Sequence, residues 1–295
     1  MEITAKMVKE LREKTNAGMM DCKNALTSTQ GDMEKARDWL RERGLATVSK
    51  RAGRTAKEGV IATAVSEDLK QAAIVELNTE TDFVAKMDSF KSLANDIAKH
   101  LADTKDVPQD MDSLLGRTCE VNKAAYSVLI TDNTAKTGEK SELRRFKVLE
   151  AKGDAIAHCY NHAGDKLSVI LVLNVEKPGP EANLVAHDIA MQIAAHNPAA
   201  INVSDLSPEV IERETNIYKE LVKNSGKPEK IWPKIIEGYL NNFYKQVVLT
   251  EQDFIKEPKT TVKAYLNSNK DKIGKASIES FVRYQLAEEL EGENA

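Results

Sequence analysis

The chain has 295 residues, of which 41% are hydrophobic and 30% charged, and its net charge is −4. This length predicts two or three domains, and the apolar content is too high for a disordered protein. The balance of charge argues against a dedicated nucleic-acid binder, because phosphate affinity depends on clustered cations. Three dispersed cysteines predict reduced thiols rather than disulfides or a zinc site. Without a signal-peptide pattern or an apolar run of 18 residues, the expected location is cytoplasmic.

Residues 1–43 predict three short helices. Thr4 is a candidate N-cap for the first helix and Asp32 for the third, whose predicted end is Gly44. A unit of this size is close to the lower limit for independent folding. We therefore expect it to dock on a partner.

The segment 43–57 is basic. It contains five cations and no acid: Arg43, Lys50, Arg51, Arg54 and Lys57. The favoured interpretation is a solvated connector, and a contact with RNA phosphates is the alternative.

The rest of the chain alternates between β-rich runs and amphipathic helices. The first part predicts a β-hairpin at 60–65 and 72–77, a helix to about Leu101, and one or two short helices with loops in 104–141. The second part predicts strands at 143–149, 155–160 and 167–175, a helix at 184–196, a helix near 261–267 and a strand at 278–286.

The second half of this pattern repeats the first. Leu77 corresponds to Leu173 at an offset of 96, whereas Ile97 corresponds to Ile189 at an offset of 92. The loop between strand and helix is therefore four residues longer in the first copy, and it contains the TDF run at 81–83. An extra loop on one copy of a duplicated scaffold indicates a functional element.

Phe83 stands in this otherwise polar loop. It is either a local hydrophobic anchor or a wedge presented to a partner, and the residues alone favour the anchor. Burial of one phenylalanine contributes about 1.5–3 kcal/mol in either place, so the energy does not decide between them.

Residues 205–244 predict a helical hairpin. A polar helix from Ser207-Pro208 to Asn224 is ended by the GKP run at 226–228, and a second helix continues to about Tyr244. Each helix carries a narrow apolar seam, which is typical of helices that meet a partner helix.

No motif for catalysis or cofactor binding is visible. The phosphate-binding patterns GxxxxGK[ST] and GxGxxG are absent. His158 and His162 would lie about 13 Å apart on a strand, which disfavours a metal site. With 5% aromatic residues the chain also lacks a base-stacking platform. We expect no catalytic residue, no metal site and no cofactor.

Several motifs resemble those of the bacterial translation elongation factor Ts family. The resemblance rests mainly on residues 8–23 (VKELREKTNAGMMDCK) and 81–85 (TDFVA). Further matches are 188–195 (DIAMQIAA), 225–228 (SGKP) and 237–238 (EG). The motifs follow in the family's order over essentially the whole chain, which departs from the family's pattern at 137–140 (TGEK).

The resemblance implies an α+β fold. Its parts are a three-helix, ubiquitin-associated-like N-terminal domain, a core of two related α+β subdomains and an inserted antiparallel coiled-coil hairpin. The expected boundaries are 1–54 for the docking domain with its basic linker, 55–141 for the first core subdomain, 142–204 and 229–295 for the second, and 205–228 for the hairpin, whose second helix continues to about 244.

The resemblance also implies a function. It is that of a guanine-nucleotide exchange factor for elongation factor Tu, not an enzyme, that binds the GDP-bound GTPase, disturbs its magnesium and phosphate site and promotes GDP release so that GTP can bind. The implied contacts near that site are Thr81, Asp82, Phe83 and Val84, and weaker contacts are Met19, Met20 and His162. A homodimer or a 2:2 assembly through the hairpin stays open, whereas membrane contact and RNA contact through 43–57 are not expected.

Overall fold

A computed structural model describes residues 3–15, 17–51 and 53–290, without the side chains of 44–50. The predicted domains also include Met1, Glu2, Asn16, Ala52 and 291–295, which lie outside the described residues, as does the Lys50 side chain of the basic segment. The chain is 50% helical and 23% strand. The α+β class is therefore confirmed.

Three helices form the N-terminal unit: α1 (Ala5–Thr15), α2 (Met19–Ser28) and α3 (Met33–Arg51). They share a small core made by Val8, Leu11, Cys22, Ala25, Leu26 and Ala36. Both expected caps are present, because Thr4 Oγ1 accepts a hydrogen bond from Met7 N at 3.3 Å and Asp32 Oδ1 accepts one from Lys35 N at 3.1 Å. The number of helices is as predicted.

The predicted end of the third helix at Gly44 is wrong. Helix α3 continues to Arg51 and takes in most of the segment interpreted as a connector. It packs along helix α7 (Tyr126–Thr137) of the core. A glycine inside a helix costs about 1 kcal/mol relative to alanine, which packing against a second helix offsets.

The first core sheet has three antiparallel strands: β1 (Glu58–Val65), β2 (Gln71–Thr79) and β3 (Ser141–Glu150), with β2 in the middle. Because side chains alternate along a strand, every second residue faces helix α5 (Asp88–Asp103). These residues include Val60, Val75 and Leu77, which share a core with Phe90 and Ile97 of α5. Helices α6 (Met111–Leu115) and α7 agree with the short helices expected in 104–141.

The second core sheet repeats this plan with β4 (Ile156–Asn161), β5 (Leu167–Val175) and β8 (Ala276–Gln285), again with the second strand in the middle. Helix α8 (Pro180–His196) covers one face. The chain between α8 and β8 adds β6 (Asp253–Phe254), β7 (Glu257–Thr261), α11 (Val262–Ser268) and α12 (Lys270–Ile273). Strands β6 and β7 were not predicted from the sequence. The buried ring of Phe254, on β6, stacks on Tyr265 of α11 with 4.0 Å between ring centres.

The duplication is visible in the strand pairing. An irregularity in register occurs between Glu76 and Leu77 of the first sheet and between Val172 and Leu173 of the second, again at an offset of 96. Residues 80–87 join β2 to α5, whereas residues 176–179 join β5 to α8, so the first loop is four residues longer, as predicted.

One predicted boundary divides a sheet. Strand β3 pairs with β2 from Ser141 to Glu150, so residues 142–150 belong to the first core unit and not to the second. The sequence pattern shows that a segment is a strand but not which strand it pairs with, and β3 lies close in sequence to β4. The boundary between the two core units therefore falls after Glu150 and not at 141/142.

The two sheets pack face to face. The side chains that point away from α5 and α8 meet in a shared core that includes Ile61, Ile74, Ala157, Ile170 and Val172. The layers are therefore α5, first sheet, second sheet and α8. Burial on both faces explains the unbroken apolar run of β5.

The hairpin consists of α9 (Pro208–Lys223) and α10 (Trp232–Val247). The rings of Tyr218 and Tyr239 stack across it with centres 5.3 Å apart. The second helix ends at Val247, three residues later than the predicted 244. The chain returns to the core at Val248, which forms a β-bridge with Ala200. Within the described ranges no helix is long and apolar enough to cross a membrane.

Candidate functional site

The longer loop of the first copy contains a single helical turn, α4 (Asp82–Ala85). The predicted helix running from here to Leu101 is therefore two helices, because the chain breaks at Lys86 and Met87 before α5 begins.

Phe83 on α4 is 80% exposed, whereas Val84 is only 7% exposed and belongs to the core of the first sheet. Neighbouring residues of a helix point about 100° apart, so the turn that buries Val84 turns Phe83 outward. The anchor interpretation of Phe83 is therefore wrong, since Val84 is the anchor. Met87 stands four residues later and is 45% exposed, so the loop presents two large apolar side chains to solvent.

Asp82 forms an ion pair with Lys86 on the same turn, with 2.6 Å between Oδ2 and Nζ. The hydrogen bond from Lys86 holds the pKa of Asp82 below its usual range, so this carboxylate is charged at neutral pH. The Lys86 side chain is largely exposed and that of Asp82 is partly exposed, so the loop carries a charged pair next to Phe83 in the chain.

Two carboxylates hold the base of the loop. Glu139 accepts hydrogen bonds from Thr81 N at 3.0 Å and from Thr81 Oγ1 at 2.8 Å. Glu80 accepts from Lys140 N at 2.7 Å and pairs with Arg51 and Arg54. The backbone hydrogen bond from Lys140, with help from both arginines, lowers the pKa of Glu80. Glu80 and Glu139 were not predicted as site residues, because no local pattern signals their contacts.

Two methionines of the N-terminal helices are exposed. Met19 and Met20 begin α2 and are 61% and 64% exposed. Cys22, Ala25 and Leu26 of the same helix are buried. These two side chains form an apolar patch on the N-terminal unit. The patch is distant in sequence from the 80–87 loop.

His162 follows strand β4 and belongs to a third region. Tyr160 Oη lies 3.0 Å from His162 Nδ1, and the Tyr160 ring meets the edge of His187 on α8 at 5.3 Å between centres. On the same face, His158 Nε2 lies 3.3 Å from His187 Nδ1. Burial, and then the charge of His187, lowers the pKa of His158 to about 4.

The pairing of His158 with His187 was not predicted from the sequence. The alternation of residues 158, 160 and 162 along one strand face was the signal for it, together with a helix that covers that face. In the part of the chain that the structure describes, no group of three His, Cys, Asp or Glu side chains has an arrangement that could hold a metal ion. The three cysteines are free thiols.

The predicted site residues thus fall into three regions. Residues 81–84 are brought together in one loop, whereas the methionines lie on the N-terminal helices and His162 lies on the second sheet. Fold and site define a class: a duplicated α+β protein with a three-helix N-terminal unit, a helical hairpin and an exposed aromatic loop on its first copy.

Comparison with known proteins identifies the family within that class. Residues 80–288 match the family model described as elongation factor TS. The elongation factor Ts proteins of Clostridium botulinum strains 657, ATCC 19397 and Langeland are each 41% identical over 290 residues, which is 98% of this chain and 94% of theirs. The chain belongs to the elongation factor Ts family. Membership associates it with translation elongation and nucleotide exchange in protein biosynthesis.

Proposed function

We propose that this chain promotes release of GDP from elongation factor Tu by inserting Phe83 near the magnesium and phosphate site of that GTPase. The observation that carries the proposal is the position of Phe83, 80% exposed on a loop whose base is held by Glu80 and Glu139. Membership of the elongation factor Ts family supports the choice of partner. The action is one of binding and not of chemical catalysis, and its location is the cytoplasm, where translation takes place.

The energetics require more than one residue. By linkage, a factor that weakens nucleotide binding is itself bound less tightly when nucleotide is present, by the same coupling free energy. An acceleration of about 10⁴ corresponds to roughly 5–6 kcal/mol. Burial of Phe83 supplies about 1.5–3 kcal/mol, so further contacts must supply the rest over an interface of about 1,600 Å².

The other predicted residues supply those contacts in the proposal. Met19 and Met20 present a flexible apolar patch to the GTPase domain, and His162 contributes from the second sheet. Asp82 has two candidate roles, to position the loop or to repel phosphate oxygens of the nucleotide, and its ion pair with Lys86 supports the first.

RNA binding through residues 43–57 has less support. Arg51 and Arg54 are engaged by Glu80, and the Arg43 guanidinium stacks on the ring of Trp39 at 5.0 Å. The absence of RNA contact stays a prediction, and a titration with RNA at two salt concentrations tests it.

Stopped-flow release of a fluorescent GDP analogue from elongation factor Tu tests the proposal. The release rate should rise with the concentration of this protein and reach a plateau. Phe83→Ala should lower the plateau at least about tenfold, the factor that corresponds to 1.4 kcal/mol. Val121→Ala is the matched control, because Val121 is also an exposed apolar residue at 75%. Absence of acceleration by the folded protein, or equal rates for the two variants, would contradict the proposal.

A further inference from the structure

The two copies of the core share one contact at the loop that follows the central strand. Glu80 of the first copy and Glu176 of the second correspond at the offset of 96. Each accepts a backbone hydrogen bond from the lysine just before the third strand of its sheet, from Lys140 N at 2.7 Å and from Lys275 N at 3.0 Å. This bond is therefore part of the common scaffold and not specific to the longer loop.

The next contact differs between the copies. In the second copy Lys177 N donates to the backbone carbonyl of Ile273 at 3.0 Å. In the first copy the corresponding residue is Thr81, and its N donates instead to the side chain of Glu139 at 3.0 Å. A carboxylate thus replaces a carbonyl at the base of the longer loop.

Glu139 has no counterpart in the second copy. It stands between Gly138 and Lys140, whereas Gly274 and Lys275 are adjacent in the chain. Gly138 ends α7 in the left-handed conformation, with φ 71°, and the extra residue follows directly. Its carboxylate also accepts from Thr81 Oγ1 at 2.8 Å and from Thr79 Oγ1 at 3.3 Å, so one side chain gathers three donors at the base of the loop.

Glu80 also accepts hydrogen bonds from two arginine side chains, and Glu176 has no such contact among those described. Arg51, the last residue of α3, and Arg54 donate to its two carboxylate oxygens at 3.1 Å and 2.9 Å. The side chain of Glu80 is 17% exposed and that of Arg51 is 25% exposed, so the pair is partly screened from water. This contact joins the loop to the helix of the docking unit.

These additions occur only in the copy whose loop exposes Phe83. A loop that is ordered before binding loses less conformational entropy on binding than a mobile one. We infer that Glu139, Glu80, Arg51 and Arg54 are positioning residues, which hold the 80–87 loop in the geometry that presents Phe83 and set that loop against the docking helices. The inference rests on the proposed function for its effect on nucleotide release.

Hydrogen exchange in the free protein tests the anchoring without any partner. The amides of Ala85 and Lys86 donate to Thr81 O and Asp82 O within the loop. Glu139→Ala should speed their exchange about tenfold, the factor expected when a hydrogen bond to a charged group is lost. Glu176→Ala is the matched control, since it removes a scaffold bond from the other copy and should leave these amides unchanged. Equal exchange in Glu139→Ala and wild type overturns the inference.

Nucleotide release tests the consequence. Glu139→Ala should lower the plateau rate of GDP release about tenfold, with little change in the concentration that gives half the plateau. In a Phe83→Ala background the same substitution should have no further effect, because Glu139 acts through Phe83. A residue that served only general stability would instead act equally in both backgrounds, and that result overturns the inference.

Two further measurements distinguish failure of the inference from misfolding of the variant and from failure of the proposed function. Glu139→Gln keeps an acceptor oxygen for Thr81 and should show an intermediate exchange rate, so it replaces Glu139→Ala if the alanine variant does not fold. If wild-type protein does not accelerate GDP release, the proposed function fails, and hydrogen exchange still decides whether Glu139 anchors the loop.

Discussion

Arg145, on β3 of the first sheet, places its guanidinium carbon 3.8 Å from the ring centre of Tyr284, on β8 of the second sheet. The Nε of the same arginine donates to Glu76 at 2.6 Å, and Glu76 is fully buried on β2. A charged group and an aromatic ring thus join the two sheets at one point. The relative placement of the two core units depends on this contact as well as on apolar packing.

Glu76→Ala should lower the free energy of unfolding by about 1.5–3 kcal/mol, because it removes the buried carboxylate from Arg145 Nε, while Arg145 Nη2 keeps its ion pair with Glu288 at 2.7 Å. Glu76 also accepts from Arg144 at 3.2 Å and from Ala287 N at 3.1 Å, so the loss reaches the segment after β8. Urea unfolding measures the change, and Glu150→Ala, an exposed glutamate on β3, is the control. A loss of less than about 1 kcal/mol would show that the pair is dispensable.

Phe83→Ala should change the free energy of unfolding by less than about 0.5 kcal/mol, because its side chain is exposed. Val84→Ala should lower it by about 2 kcal/mol, because Val84 is packed in the core of the first sheet. Because the two residues are adjacent on α4, comparing the unfolding free energies of the two variants in urea shows which of them faces the core. A larger loss for Phe83→Ala than for Val84→Ala would show the reverse orientation.

Stability should decrease in mild acid through His158. Its pKa is lowered from 6.5 to about 4, so the unfolded chain takes up this proton before the folded protein does. The stabilisation from the neutral histidine is fully present above pH 6.5 and is lost as the pH falls towards 4. Unfolding measured from pH 7 to pH 4 should show a smaller decrease for His158→Gln than for wild type. The exposed His196 gives the control variant His196→Gln, which should behave as wild type.

Self-association through the hairpin is a separate prediction. Ile217 and Leu221 on α9 are 47% and 54% exposed although α9 packs on α10. If two copies pair through this face, Leu221→Lys should raise the dissociation constant of the dimer at least tenfold, since it places a charge in an apolar contact. Sedimentation equilibrium measures it, with the exposed Lys219→Ala as control. A wild-type chain that is monomeric at all concentrations would contradict the prediction.

Local patterns were enough for most of the elements. The caps at Thr4 and Asp32, the β-rich runs of β1 and β2, and the apolar seams of α9 and α10 each depend on neighbours within a few residues. Short-range hydrogen bonds and side-chain periodicity decide such features, so they can be read along the chain. The difference between the strand offset of 96 and the helix offset of 92 also located the longer loop, although it did not orient Phe83.

The features that were missed depend on residues far apart in the chain. Helix α3 continues past Gly44 because α7 packs beside it. Strand β3 pairs with β2, which is distant in sequence, and not with β4, which is close, because β2 hydrogen-bonds with the backbone of β3. Phe83 is exposed because Val84 takes the place in the core, and Glu139 holds Thr81 from 58 residues away. Local preferences amount to a few tenths of a kcal/mol to about 1 kcal/mol per residue, whereas burial of one large side chain contributes more. Where the two conflicted, packing in the folded chain determined the outcome.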